Sequence, residues 1–103
     1  MMSEKIDWGR LHDATLNTIT VIWKNGKVRL DLITGFAPVV FIFVEELMQL
    51  IVPHVTPWGP SNSINDIHMI PTIEQEGQRL EIEMQSGDTI VIEAKRFTIG
   101  IGK

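Results

Sequence analysis

The sequence predicts an all-β fold: a single small domain of about seven mostly antiparallel strands, arranged as a sandwich or a curled, barrel-like sheet, with at most one short helix. Three observations carry this expectation. Asn25-Gly26 separates two runs that alternate in polarity, and Gln85-Ser86-Gly87 separates two more. Turn signals recur roughly every 8–12 residues. No stretch combines the length and the 3.6-residue period of an amphipathic helix.

With 103 residues the chain is expected to form one domain. Residues 1–10 read as an N-terminal arm that Trp8 pins to the body, and residues 11–103 as a single β domain. The first hairpin is LNTITVIWKNGKVRLDL. A two-residue type I′ turn at Asn25-Gly26 sets Trp23 opposite Val28, Val21 opposite Leu30 and Ile19 opposite Leu32, with all six on one apolar face. The other face pairs Thr20 with Asp31 and Ile22 with Arg29. After Gly35 and Pro38 comes VVFIFV, a continuous β-branched and aromatic run that suits a strand covered on both faces. EELMQLIVP follows, read as a bend at Glu45-Glu46 and a second extended segment, with one helical turn as the alternative.

HVTPWGPSNSIND holds Trp58 stiffly between Pro57 and Pro60. Each proline biases the residue before it toward extended geometry, and the polar residues that follow can bond unpaired loop backbone. Trp58 is read mainly as an apolar plug over an open end of the sheet, with a ligand platform as the rival. INDIHMI then places Ile67 and Met69 on one face, and Glu76-Gly77 reads as a turn. RLEIEMQSGDTIVIEA alternates cleanly. A three-residue loop with Gly87 in the left-handed region sets Ile82 against Ile90 and Leu80 against Ile92. Glu81, Glu83, Thr89, Val91 and Glu93 form its acidic, half-solvated face. In FTIGIGK, Phe97, Ile99 and Ile101 share one side.

Composition narrows the functional classes. The 44% hydrophobic and 21% charged fractions suit a globular domain. The net charge of −4, with nine scattered basic residues, argues against nucleic acid as a partner. No apolar run approaches the ~18 residues of a membrane span, and MMSEKIDWGR lacks the apolar region of a signal peptide, so a cytoplasmic location is expected. The absence of cysteine excludes disulfides and thiolate chemistry.

The chemistry-bearing residues do not assemble into a catalytic motif. His12-Asp13 has the look of a metal-hydrolase pair, but the further ligands such sites need are missing. Asp13 fixing the approach to the first strand is the simpler reading. His12, His54 and His68 lack ligand spacing such as HxH or HExxH. Glu45/Glu46 and Glu81/Glu83 read as solvated faces rather than paired catalytic carboxylates. Ser61 and Ser63 follow Gly59-Pro60 without a nucleophile elbow, and Gly100-Ile101-Gly102 is not a phosphate loop. No catalytic residue, metal or cofactor is therefore assigned. The residues singled out for binding are His12, Asp13, His54, Trp58, Ser61 and Asn62.

LHDATL, PWGPSNSIN and LEIEMQSGDTIVIEA, in that order, resemble a set of small uncharacterised bacterial proteins over most of residues 11–94. The resemblance implies a compact, largely β, stand-alone cytoplasmic protein and supplies no catalytic residue. The expected function is a binding or interaction module without catalysis. Its partner is a protein or a second copy met through an edge strand. By analogy with toxin-neutralising immunity proteins, an acidic domain can neutralise a basic partner. The alternative is a small enzyme with a site near the Pro-rich loop, using His54, Trp58 and His12, which would show a pocket with converging polar groups.

Overall fold

The computed structural model describes residues 8–35, 39–54, 63–71 and 77–102. After a 3-10 turn at Trp8–Leu11 come six strands: β1 (Thr15–Ile22), β2 (Lys27–Ile33), β3 (Val39–Ile51), β4 (Ile64–Pro71), β5 (Gln78–Met84) and β6 (Thr89–Gly102). They form one sheet in the order β1-β2-β3-β6-β5-β4, every neighbouring pair antiparallel. Each half is a three-stranded meander, and the long strands β3 and β6 join the halves at the centre. Exchanging the halves leaves this order unchanged, a symmetry of topology with no counterpart in the residue pattern.

The fold is all-β, as expected, and it is a single curled sheet rather than two stacked ones. Two pairs of expected segments run on as single strands. VVFIFV continues through the bend into ELMQLI as β3, and TIVIEA continues into FTIGIG as β6. The bend has a local cause: Glu46 adopts φ 57°, and the register against β6 shifts between Leu47 and Gln49. Such a bulge turns a strand without breaking its pairing. The curl brings the sheet's two edges together at one end. The Asp13 N–H donates to the Ile64 carbonyl at 2.9 Å, the Ile64 N–H donates to Ala14 at 2.8 Å, and Thr15 bridges Ser63.

Inside the curl lies one apolar core. Leu30, Leu32, Val40 and Ile42 from the first meander meet Leu80, Ile82, Ile90 and Ile92 from the second, and no polar side chain is buried with them among the described residues. At roughly 25 cal/mol per Å² of apolar surface, this burial is the main stabilising contribution. The β5–β6 hairpin has the expected geometry: Gly87 sits at φ 103°, Ile82 faces Ile90 and Leu80 faces Ile92.

The first hairpin differs in loop length. Val21 pairs with Val28, Ile19 with Leu30 and Thr20 with Arg29, a shift of two residues from the two-residue turn. The loop is a 3-10 turn, Trp23–Asn25, closed by Gly26 at φ 64°. Asn25-Gly26 therefore needs only one left-handed residue, at the end of a four-residue loop built on an ordinary turn. A two-residue shift preserves the alternation of faces, so Val28, Leu30 and Leu32 still point inward. Trp23, expected opposite Val28 in the core, is carried onto the loop, where it is 86% exposed.

β3 is covered on one face only, not on both. Val40, Ile42 and Val44 are buried, while Phe43 remains 40% exposed on the outer face. The outer aromatics are shielded from across the sheet instead. The Arg29 guanidinium lies 5.4 Å from the Phe41 ring centroid, and the Phe41 and Phe43 rings sit 5.7 Å apart. Phe43 also packs over Gly100, where a Cβ would come within 2.9 Å of its ring.

Candidate interaction surface

Of the residues expected at a binding site, His12, Asp13 and His54 are among the described residues. His12 Nδ1 lies 3.3 Å from Asp13 Oδ2, with both side chains largely exposed. Asp13 itself builds the turn into β1. It holds φ 70°, which Asp tolerates better than most residues, and its Oδ1 accepts a bond from the Gln85 side-chain amide at 3.2 Å. His54 is exposed beyond the end of β3. Trp58, Ser61 and Asn62, and with them the plug assigned to Trp58, lie outside the described residues. The remaining histidine, His68, sits between two carboxylates, with Nε2 3.1 Å from Glu81 and Nδ1 3.4 Å from Asp66. No group of three or more metal-ligating side chains suited to an ion occurs among the described residues.

The acidic strands are largely neutralised within the sheet. Arg79 lies between Glu81, 3.0 Å from its Nε though poorly aligned for a hydrogen bond, and Glu93, 3.6 Å from Nη1. Arg96 reaches Glu45 at 3.0 Å and Glu46 at 2.6 Å across the bend of β3, with Lys27 and Lys95 3.9 Å from the same two carboxylates. Exposed pairs of this kind contribute little stability, because solvent screens them. Their effect on recognition is larger, because these carboxylates already have cations beside them.

Among the described residues, an uncovered, uncharged surface lies along β1. From Thr18 to Ile22 every residue is β-branched and uncharged. Val21 and Ile22 are 44% and 45% exposed, and the strand runs into Trp23 at the hairpin tip. Alternate side chains of β1 border two grooves. A groove of about 370 Å³ is lined by Val21, Trp23, Leu47, Met48 and Leu50. The other, of about 420 Å³, is lined by Thr20, Ile22, Arg29, Phe43 and Thr98.

The opposite edge is protected. β4 carries exposed Asn65, Asp66 and His68, a register shift at Asn65, and Pro71, which has no N–H to offer. Charges, bulges and proline are the usual means of blunting an edge against pairing, and β1 has none of them beyond its own bulge near Asn17. The charge-free run TITVI was the sequence signal for this surface, but only strand order shows that it lies on an edge. Comparisons with protein-family models, curated proteins and solved structures give no match, so function is read from this chain's own residues.

Proposed function

We propose that this protein is a protein-interaction module without a catalytic centre, and that it meets its partner along β1 and against Trp23. The carrying observation is the uncharged, β-branched edge strand that ends in a tryptophan 86% exposed to solvent. An extended segment added to such an edge gains main-chain hydrogen bonds, and pockets for alternate side chains supply specificity. Tryptophan is the residue type most enriched among interface hot spots, and the groove beside Trp23 supplies the apolar bed a partner side chain needs. The bacterial, cytoplasmic setting implied by the sequence resemblance belongs to the same proposal. No helix among the described residues is long and apolar enough to cross a membrane.

A photo-cross-linking residue placed at exposed Asn25, in the same turn as Trp23, is expected in cells to trap a discrete adduct, and the same probe at Asn65 on the β4 edge to trap none. Absence of any adduct at Asn25 would overturn the proposal. Trp23→Ala is expected to abolish capture while changing stability by less than about 0.5 kcal/mol, because an exposed loop ring leaves no cavity behind. A loss above about 2 kcal/mol would show that the ring is packed and that its role is structural.

A further inference from the structure

Resting on that reading, the geometry points to a second copy of this chain as the partner of β1, joined by two-fold antiparallel pairing centred on Thr20. Among the described residues, no strand lies outside β1 from the bulge near Asn17 to the hairpin turn at Trp23. The middle residue of that run is Thr20. In an isologous pair the same surface faces itself, so residue i meets residue j and j meets i. Centring on Thr20 sets Thr20 against its own copy, Ile19 against Val21 of the mate, and Thr18 against Ile22 of the mate.

This register keeps the faces in phase. Ile19 and Val21 pair in β1–β2 with the buried residues Leu30 and Val28, whereas Thr18 and Thr20 pair with Asp31 and Arg29. Two curled sheets would thus join with inner side chains beside inner and outer beside outer. Threonine pairs and β-branched pairs are favourable cross-strand neighbours.

Charge selects a copy over an unrelated strand. The run itself contains no ionisable group, so neither a basic nor an acidic peptide is favoured along it. Its ends carry opposite signs: the Asp13 carboxylate, 67% exposed, stands before the strand, and exposed Lys24 stands after it. Antiparallel two-fold pairing brings each Lys24 end toward the mate's Asp13 end, twice by symmetry. A parallel arrangement would set like charges together. The protected β4 edge cannot substitute for β1, so the association closes at a dimer instead of growing into a fibre.

The test is sedimentation equilibrium on the full chain and two variants at the two-fold axis. Thr20 is exposed, so Thr20→Lys and Thr20→Glu are each expected to fold, as far-ultraviolet circular dichroism would check. The wild type is expected to be a dimer. Each variant alone is expected to be a monomer, because two like charges meet on the axis. An equimolar mixture is expected to recover the dimer, because the introduced ammonium then faces the introduced carboxylate. A wild type that stays monomeric at its highest workable concentration overturns the pairing. So does a dimer that either folded variant leaves intact, or a mixture that stays monomeric. A monomeric wild type together with a discrete Asn25 adduct of a different protein would overturn self-pairing alone and leave the interaction module standing.

Discussion

Ile42→Ala is expected to lower stability by about 3–4 kcal/mol, a large share of the roughly 5–10 kcal/mol that a domain of this size has. Ile42 is fully buried on β3, pairs with Leu30 on one side and Ile99 on the other, and belongs to the core cluster shared by both meanders. Removing its outer carbons loses their transfer energy and leaves a cavity that strands tied on both sides cannot collapse to fill. With a urea slope of about 1.5 kcal/mol/M, the midpoint is expected to fall by roughly 2–2.7 M. Phe43→Ala is the control. It removes a larger side chain one position along, but from the outer face, and is expected to cost well under half as much. Equal losses for the two variants would show that β3 is buried on both faces and that the one-sided core is wrong.

Gly26→Val should give the next largest loss, about 2–3 kcal/mol in chemical denaturation. Gly26 sits at φ 64°, a region that costs a residue with a Cβ about 1–2 kcal/mol and a β-branched one more. The position is also tied to the rest of the sheet. The Gly26 carbonyl accepts the Leu47 N–H at 2.9 Å, next to the left-handed Glu46 that bends β3. Relieving strain by moving the turn would therefore disturb that contact as well. Gly26→Asn is expected to cost under about 1 kcal/mol, since Asn visits this region more readily. Gly35→Val is expected to be nearly neutral, because Gly35 has no positive φ and open space where a Cβ would stand. If Gly26→Val and Gly35→Val proved equal, the closing of the first hairpin by a left-handed residue would be refuted.

The two hairpins show where sequence reading succeeds and where it stops. Between Met84 and Asp88 the loop length, the left-handed glycine and the register all follow from local chemistry, because Gly87 and clean alternation point to the same answer. Around Asn25-Gly26 the alternation was legible but the loop length was not. Two- and four-residue loops both keep the faces in phase, and only the contact with β3 tells them apart. That difference moves Trp23 from the core to the tip. The covering of VVFIFV was not legible either, because its outer face is shielded by Arg29 and made room for by Gly100, partners set by strand order. The candidate surface depends on strand order still more. TITVI reads as a strand whether it lies at the centre or at the edge of a sheet. His12 and Asp13 drew attention as chemistry, yet Asp13 serves the closure of the curl.

The central seam of the sheet has a consequence for how the chain reaches its fold. Within each meander, strands pair with their neighbours in sequence, and such contacts can form early and locally. The seam is different: Val40 must find Ile101, and Ile42 must find Ile99, across most of the chain. Closing so long a loop costs conformational entropy before the contacts that reward it exist, which places the domain among the slow, milliseconds-to-seconds folders of high contact order. Refolding within microseconds in a rapid-mixing experiment would contradict this. Until β6 docks, β3 presents an apolar strand edge with Val40, Ile42 and Val44 still wet. During synthesis the first meander therefore waits, half-solvated and prone to wrong pairing, for the strand that completes it.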